Sequence, residues 1–226
     1  MSTRSASATI DRLTLADEPE RWEALGFAVS NGTLQLGSVH VVLAGADAGR
    51  GIIGWSLRGI AGVELDGLPT VSSDATTARA RAPKHANGVT GIDHLVAMSP
   101  DLDRSVQVLQ AAGLDLRRIR EQPTPAGAPR QAFFRLGETI LELVQEPDEA
   151  IAARPDGANG PARFWGLALL SDDLERTCRR LGEHCSEIRP AVQAGRGIAT
   201  LRRSAGLAVP IALMSRPQDR SGHSSR

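Results

Sequence analysis

Side chains able to do chemistry are sparse in this chain of 226 residues, which holds five histidines and two cysteines. No Ser/His/Asp or Cys/His set stands out, because with so few histidines any grouping is arbitrary. Cys178 and Cys185 lie seven positions apart on or near one predicted helix. If that helix ran on, their Cα atoms would be about 10 Å apart, beyond the roughly 7 Å that a disulfide can span. Two reduced thiols are therefore expected, with Cys178 buried as a small hydrophobe. The fragment Gly45-Ala46-Asp47-Ala48-Gly49-Arg50-Gly51 lacks the spacing of a phosphate loop and reads as a turn. Any chemistry has to come from residues that the fold gathers from separate places.

Composition narrows the classes. Hydrophobic residues at 41% with 23% charged suffice for a sizeable core in a soluble globular protein. The formal net charge is zero and no Lys/Arg-rich run appears, which argues against nucleic acid as a partner, since phosphate neutralisation supplies most of that affinity. No apolar run approaches a membrane span, and no signal-peptide core follows Met1-Ser2-Thr3-Arg4. A cytoplasmic protein without a membrane partner is expected.

The elements that must position a site are legible as a repeat. Gly91 to Ser105 returns, altered, as Phe164 to Thr177, matched without a gap on Ser99 and Ser171. In each copy a short apolar strand runs straight into a helix. In the first, Ser99 and Pro100 read as N-cap and first helical residue. Leu102, Val106 and Leu109 share one helical face, and Gly113 stops the helix. The second keeps that face with Leu174, Cys178 and Leu181.

Two strands, Gln131 to Leu136 and Thr139 to Val144, follow the first helix, then a polar connection from Asp148 to Pro161. The last unit adds a strand near Glu187-Ile188 and a hairpin of Ile198 to Arg202 with Leu207 to Met214. A weaker copy precedes them: Ile10 to Leu15 alternates, Asp17 to Gly26 reads as a short helix, Asn31-Gly32 as a turn, and Leu36 to Leu43 lines up with Leu136 to Leu143. Gly51 to Leu57 looks like the opening strand of a further unit, truncated by the Gly/Pro-broken Leu65 to Pro69. Val71 to Asn87 has linker composition. The domains expected are a degenerate unit at 1–70, a linker at 71–87, a two-unit domain at 88–216 and a polar tail at 217–226.

Strand, helix and three more strands in tandem resemble the unit of the vicinal oxygen chelate superfamily, the glyoxalase-like proteins. Ile92-Asp93-His94-Leu95 and Ile140-Leu141-Glu142-Leu143 are similar to that family's metal-binding strands. The resemblance implies an α+β fold in which tandem βαβββ units form paired antiparallel sheets around a cup. It also implies a divalent metal that chelates two neighbouring substrate oxygens, held by a His on the first strand and a Glu on the last strand of each unit. His94 and Glu142 fill the first unit's places, but Gly166 and Ala212 stand at the second's and cannot bind metal. The N-terminal copy has Arg12, Val42 and Gly54 there. Two donors fall short of the usual three protein groups plus water, so two readings stay open: a polar pair in the cup, or a weakly bound divalent metal. The two side chains are expected within reach of one ion, roughly 4 to 5 Å apart at their nearest atoms.

Period-two reasoning says what lines such a cup. His94 shares its face with Val96 and Met98, and Glu142 with Ile140 and Val144. Leu170 and Met214, beside Gly166, Ala168 and Ala212, would line the second half, while Leu95, Leu141 and Leu143 pack on the helices. Gln131, Phe133 and Arg135 share a third face, and an inward Arg135 could hold an anion. The expected function is binding of a small molecule in an apolar cup without a complete metal site. One alternative is a divalent-metal-dependent lyase, isomerase or dioxygenase in which Glu142 or a bound water moves a proton. The other is a structural or interaction module, suggested by the degenerate first copy. A homodimer is left open.

Overall fold

Alternation of apolar and polar residues produces strands in both halves of the chain. The computed structural model describes residues 7–74, 83–124 and 127–217. The first half holds β1 (Thr9–Leu15), α1 (Pro19–Ala24), β2 (Thr33–Leu36), β3 (Val39–Leu43), β4 (Ile52–Arg58) and β5 (Thr70–Ser72). The second begins with β6 (Val89–Ser99), α2 (Leu102–Ala111), β7 (Asp115–Arg120), β8 (Gln131–Leu136), β9 (Thr139–Gln145) and α3 (Asp148–Ala152). It ends with β10 (Arg163–Ser171), α4 (Leu174–Leu181), β11 (Arg189–Pro190), β12 (Gly197–Thr200) and β13 (Ile211–Ser215).

The tandem βαβββ architecture is as expected, and its two half-sheets are continuous. They form one eight-stranded sheet in the order β11-β12-β13-β10-β6-β9-β8-β7. The helix after β6 carries the chain back so that β7 runs in the same sense as β6, and two hairpins then reverse it twice, so β9 returns parallel to β6, as β13 does to β10. The remaining neighbours are antiparallel, including the β10–β6 seam where the units meet. Each half is therefore mixed rather than wholly antiparallel. The N-terminal sheet runs β2-β3-β1-β4-β5. Its central logic is the same: β1 parallel to β3, antiparallel to β4, and β4 parallel to β5.

One face of the large sheet is closed by α2 and α4. Leu95, Leu102, Leu109, Phe134, Leu141 and Leu143 are all fully buried within one hydrophobic cluster, each worth about 1.5–3 kcal/mol relative to exposure. The cluster also takes in Leu13, Trp22 and Trp55 of the first half. Arg104 on α2 clamps the halves together, its Nε 2.9 Å from Asp66 Oδ1, and Trp55 meets Phe164 edge-on with centroids 5.1 Å apart.

Several local expectations need correcting. The N-caps are Asp101 and Asp173, whose carboxylates accept the amide N–H of Arg104 and Arg176. Ser99 lies too far back to reach that amide. It accepts the N–H of Asp101 instead and pairs with Ser105 Oγ at 2.6 Å. The polar connection contains α3, favoured by Asp148 and Glu149 in its first turn. The linker is pinned at both ends: Val71 and Ser72 lie in β5, and Asn87 bonds to Leu25 O at 2.9 Å. Its residues 75–82, positions 125–126 and the tail from 218 lie outside the described residues. Finally, α4 stops at Leu181, and Gly182 at φ +55° turns the chain back. Burial first, then the neighbouring Cys185, pushes the Cys178 thiol up to about 12. Both cysteines are free, with Cys185 buried and Cys178 only half-buried.

Candidate functional site

A β-bulge builds the site. Where β6 opposes β10, His94 faces Ala168 and Ile92 faces Leu169, so Asp93 is an extra residue on its strand. The bulge turns Asp93 and His94 toward the same side, which strict alternation forbids. β9 lies parallel beside β6 and sets Glu142 opposite Val96. A second irregularity, between Leu116 and Arg118 in β7, does the same for Arg117 and Arg118. These residues, with Phe133, Arg135, Ile140 and Gln193, line a cavity of about 210 Å³.

A chain of polar contacts crosses its floor. Arg196, 5% exposed, reaches from the β11–β12 loop to donate to Asp93 Oδ1 at 2.7 Å. Asp93 Oδ2 stands 2.8 Å from His94 Nδ1, and His94 Nε2 stands 3.4 Å from Glu142 Oε2. Gln131 Nε2 donates to the other Glu142 oxygen. Burial alone would raise Asp93, but hydrogen bonds from His94 and Arg196 outweigh it and hold the carboxyl below its usual range. The Asp93 carboxylate beside Nδ1 orients the ring so that Nε2 faces Glu142.

Burial pushes Glu142 above the ordinary carboxylate range, with His94 pulling it back and Asp93 adding to the rise. A carboxyl whose folded pKa exceeds its unfolded one binds its proton more tightly in the native state. The stability penalty is thus full above the folded pKa and vanishes below the unfolded one. Glu142→Gln is expected to raise the melting temperature at pH 8, with the gain shrinking as pH falls through the carboxylate range. Melts of both proteins across pH 4 to 8 check this, and a gain independent of pH would refute the assignment.

Of the residues expected in the site, His94, Glu142, Phe133, Arg135 and Ile140 come together at the cavity. Val96, Met98, Val144, Leu170 and Met214 stand outside its lining: Met98 faces Val144, and Leu170 faces Met214, along the sheet. The cup sets charged groups, Asp93, Glu142, Arg117, Arg118 and Arg135, among the apolar surface of Phe133 and Ile140. Arg118 stacks over Phe133 at 4.5 Å from the ring centroid. Asp93, Arg117, Arg118, Gln193 and Arg196 were missed because two bulges and a loop contact bring them in. Asp93 beside His94 was the one visible hint.

The donor set does not fit a complete catalytic metal site. His94 and Glu142 are closer than expected, but among the described residues no group of three or more His, Cys, Asp or Glu side chains is assembled to hold an ion. The vacant second-unit place is also closed, since a Cβ on Gly166 would lie 2.7 Å from the Pro210 carbonyl oxygen. His40 lies exposed on β3, His85 bridges Ala28 N and Gln35 O, and His184 rests beside Ser204.

Among the described residues no helix is long and apolar enough to cross a membrane. No curated protein matches the sequence. Among solved structures, a xylose isomerase-like TIM barrel/4-hydroxyphenylpyruvate dioxygenase fusion protein is 16% identical with a TM-score of 0.61, covering 98% of this chain and 51% of its own. The chain thus spans about half of that protein and shares the fold of the matched part. Methylmalonyl-CoA epimerase from Mycobacterium tuberculosis is 24% identical with a TM-score of 0.46, covering 57% of this chain and 90% of its own. A hypothetical protein from Bacillus halodurans is 17% identical with a TM-score of 0.46, covering 58% and 97%. The family model for the Glyoxalase/Bleomycin resistance protein/Dioxygenase superfamily matches residues 91–224, and with its tandem βαβββ sheet the chain belongs to that superfamily.

Proposed function

We propose that this protein binds a small anionic molecule, a carboxylate or similar oxyanion, in the cup of residues 88–216, and does so without a complete metal site. The observation that carries the reading is the arginine wall: Arg117, Arg118 and Arg135 line the same cavity as His94 and Glu142. Guanidinium groups offer a planar fork to carboxylates. Glu142 and His94, 3.4 Å apart, form a proton-sharing pair beneath the anion, and Glu142 is the group to move a proton if the bound molecule reacts. Residues 1–70 serve as a degenerate unit bracing the cup, a role supported by their reduced version of the same strand order.

The metal-dependent lyase, isomerase or dioxygenase reading keeps one favourable observation. A ring nitrogen held by a carboxylate, as Asp93 holds His94 Nδ1, is how metal-binding histidines are oriented. Against it stands the two-donor set.

Calorimetry with malonate, pyruvate and oxalate, against malonamide and small neutral aromatics, tests the proposal. Anions are expected to bind in a salt-sensitive manner, and Arg118→Met with Arg135→Met to weaken them by about tenfold or more, the loss of a charge-assisted hydrogen bond. Equal binding of neutral aromatics, or no effect of either variant, would return the site to a greasy cup.

A further inference from the structure

The second unit contributes something to the cup other than metal ligands. Its two ligand places hold Gly166 and Ala212, yet the loop between β11 and β12 sends Arg196 across to Asp93, a lining residue of the cup. Arg196 is almost wholly buried and is secured by three acceptors: Asp93 Oδ1 at 2.7 Å, the Ser215 carbonyl at 2.8 Å, and the Gln193 side chain. A buried guanidinium needs such a full set of partners. Asp93, its anionic partner, belongs to the first unit and holds His94 through its other oxygen.

We infer that Arg196 is the fixed cation that holds the Asp93 carboxylate and through it positions His94, with Nε2 turned to Glu142. The inference does not depend on which anion binds. Paired with Arg196 at 2.7 Å, Asp93, which could otherwise add negative charge to attract a dication beside His94, is neutralised. Arg196 is a positioning residue, acting on His94 through Asp93.

The first half carries the same device without the chemistry. Ile10-Asp11-Arg12-Leu13 repeats Ile92-Asp93-His94-Leu95, and Asp11 is likewise an extra residue where β1 opposes β4. Its carboxylate takes the Arg58 guanidinium and the Ser73 hydroxyl, the latter at 2.7 Å. An arginine on a bulged aspartate is thus built into both halves. Only the second half sets a histidine and a glutamate beside it.

The experiment titrates Mn²⁺ and Zn²⁺ into the wild type, Arg196→Met and Arg196→Lys by calorimetry, and records the ¹⁵N ring signals of His94 in each. The wild type is expected to bind neither ion appreciably and to melt unchanged in chelator. Arg196→Met should gain at least about tenfold in metal affinity as the Asp93 charge is left unpaired, and its His94 should become a mixture of tautomers. Arg196→Lys should restore both wild-type behaviours. A merely structural arginine would move the melting temperature and neither of these. Stoichiometric, tightly held metal in the wild type overturns the inference whatever the variants do. So does a folded Arg196→Met protein with unchanged metal affinity and unchanged tautomer. If Arg196→Met does not fold, the wild-type titration and the Lys variant decide by the same criteria.

Discussion

Replacing Phe134 with alanine is expected to lower the melting temperature by roughly 6 to 20 °C, from a loss of about 3–5 kcal/mol at roughly 2–4 °C per kcal/mol for a chain of this size. Phe134 is fully buried in the central cluster, and it stands between Leu116 on β7 and Leu141 on β9. Removing its ring leaves a cavity under α2 that rigid strands cannot collapse into. Its neighbour should behave in the opposite way. Phe133 points into the cup, where its ring meets Arg118 and solvent, so Phe133→Ala should cost about 1 kcal/mol or less while weakening ligand binding. Thermal melts of the two variants, with one ligand titration, separate the faces of β8. Equal destabilisation by both would show that the cup does not open as described.

Restoring a histidine at Gly166, the place the family resemblance assigns to a ligand, is expected to fail as a metal-site repair. A Cβ there would lie 2.7 Å from Pro210 O and 3.2 Å from Pro210 Cβ. That oxygen is not free to move, because it accepts the Leu167 amide at 3.0 Å within the β10–β13 ladder. Overpacking against fixed backbone typically costs about 1–3 kcal/mol, so Gly166→His should melt several degrees lower, and Gly166→Ala nearly as low. Neither should gain affinity for zinc. A Gly166→His protein of wild-type stability that retained stoichiometric zinc would mean that Pro210 yields readily, and the site would then be one substitution from a metal centre.

The path from sequence to site is uneven, and particular residues show why. The strand–helix repeat from Gly91 and from Phe164 was readable because apolar periodicity is a local property of consecutive residues, and both units form as that periodicity requires. His94 and Glu142 were found through resemblance, and parallel pairing of β6 with β9 brings them within 3.4 Å. Lining residues were chosen by strict alternation, which holds for Phe133 and Arg135 on β8, a strand paired to β9 without a register shift. Alternation fails on β6 and β7, where bulges add a residue to one strand only. Whether a strand bulges depends on the partner it pairs with, and that is not written in its own letters.

By itself, then, the sequence determined the two βαβββ units and their apolar helix-facing sides. Only the tertiary structure decided the character of the cup. It rotated Asp93 in beside His94, folded the β11–β12 loop so that Arg196 crosses from one unit to the other, and closed the Gly166 place with Pro210. Arg196 lies 103 positions from Asp93. A contact of that separation has no periodic signature, because it arises from how two finished units pack and not from the order of residues within either.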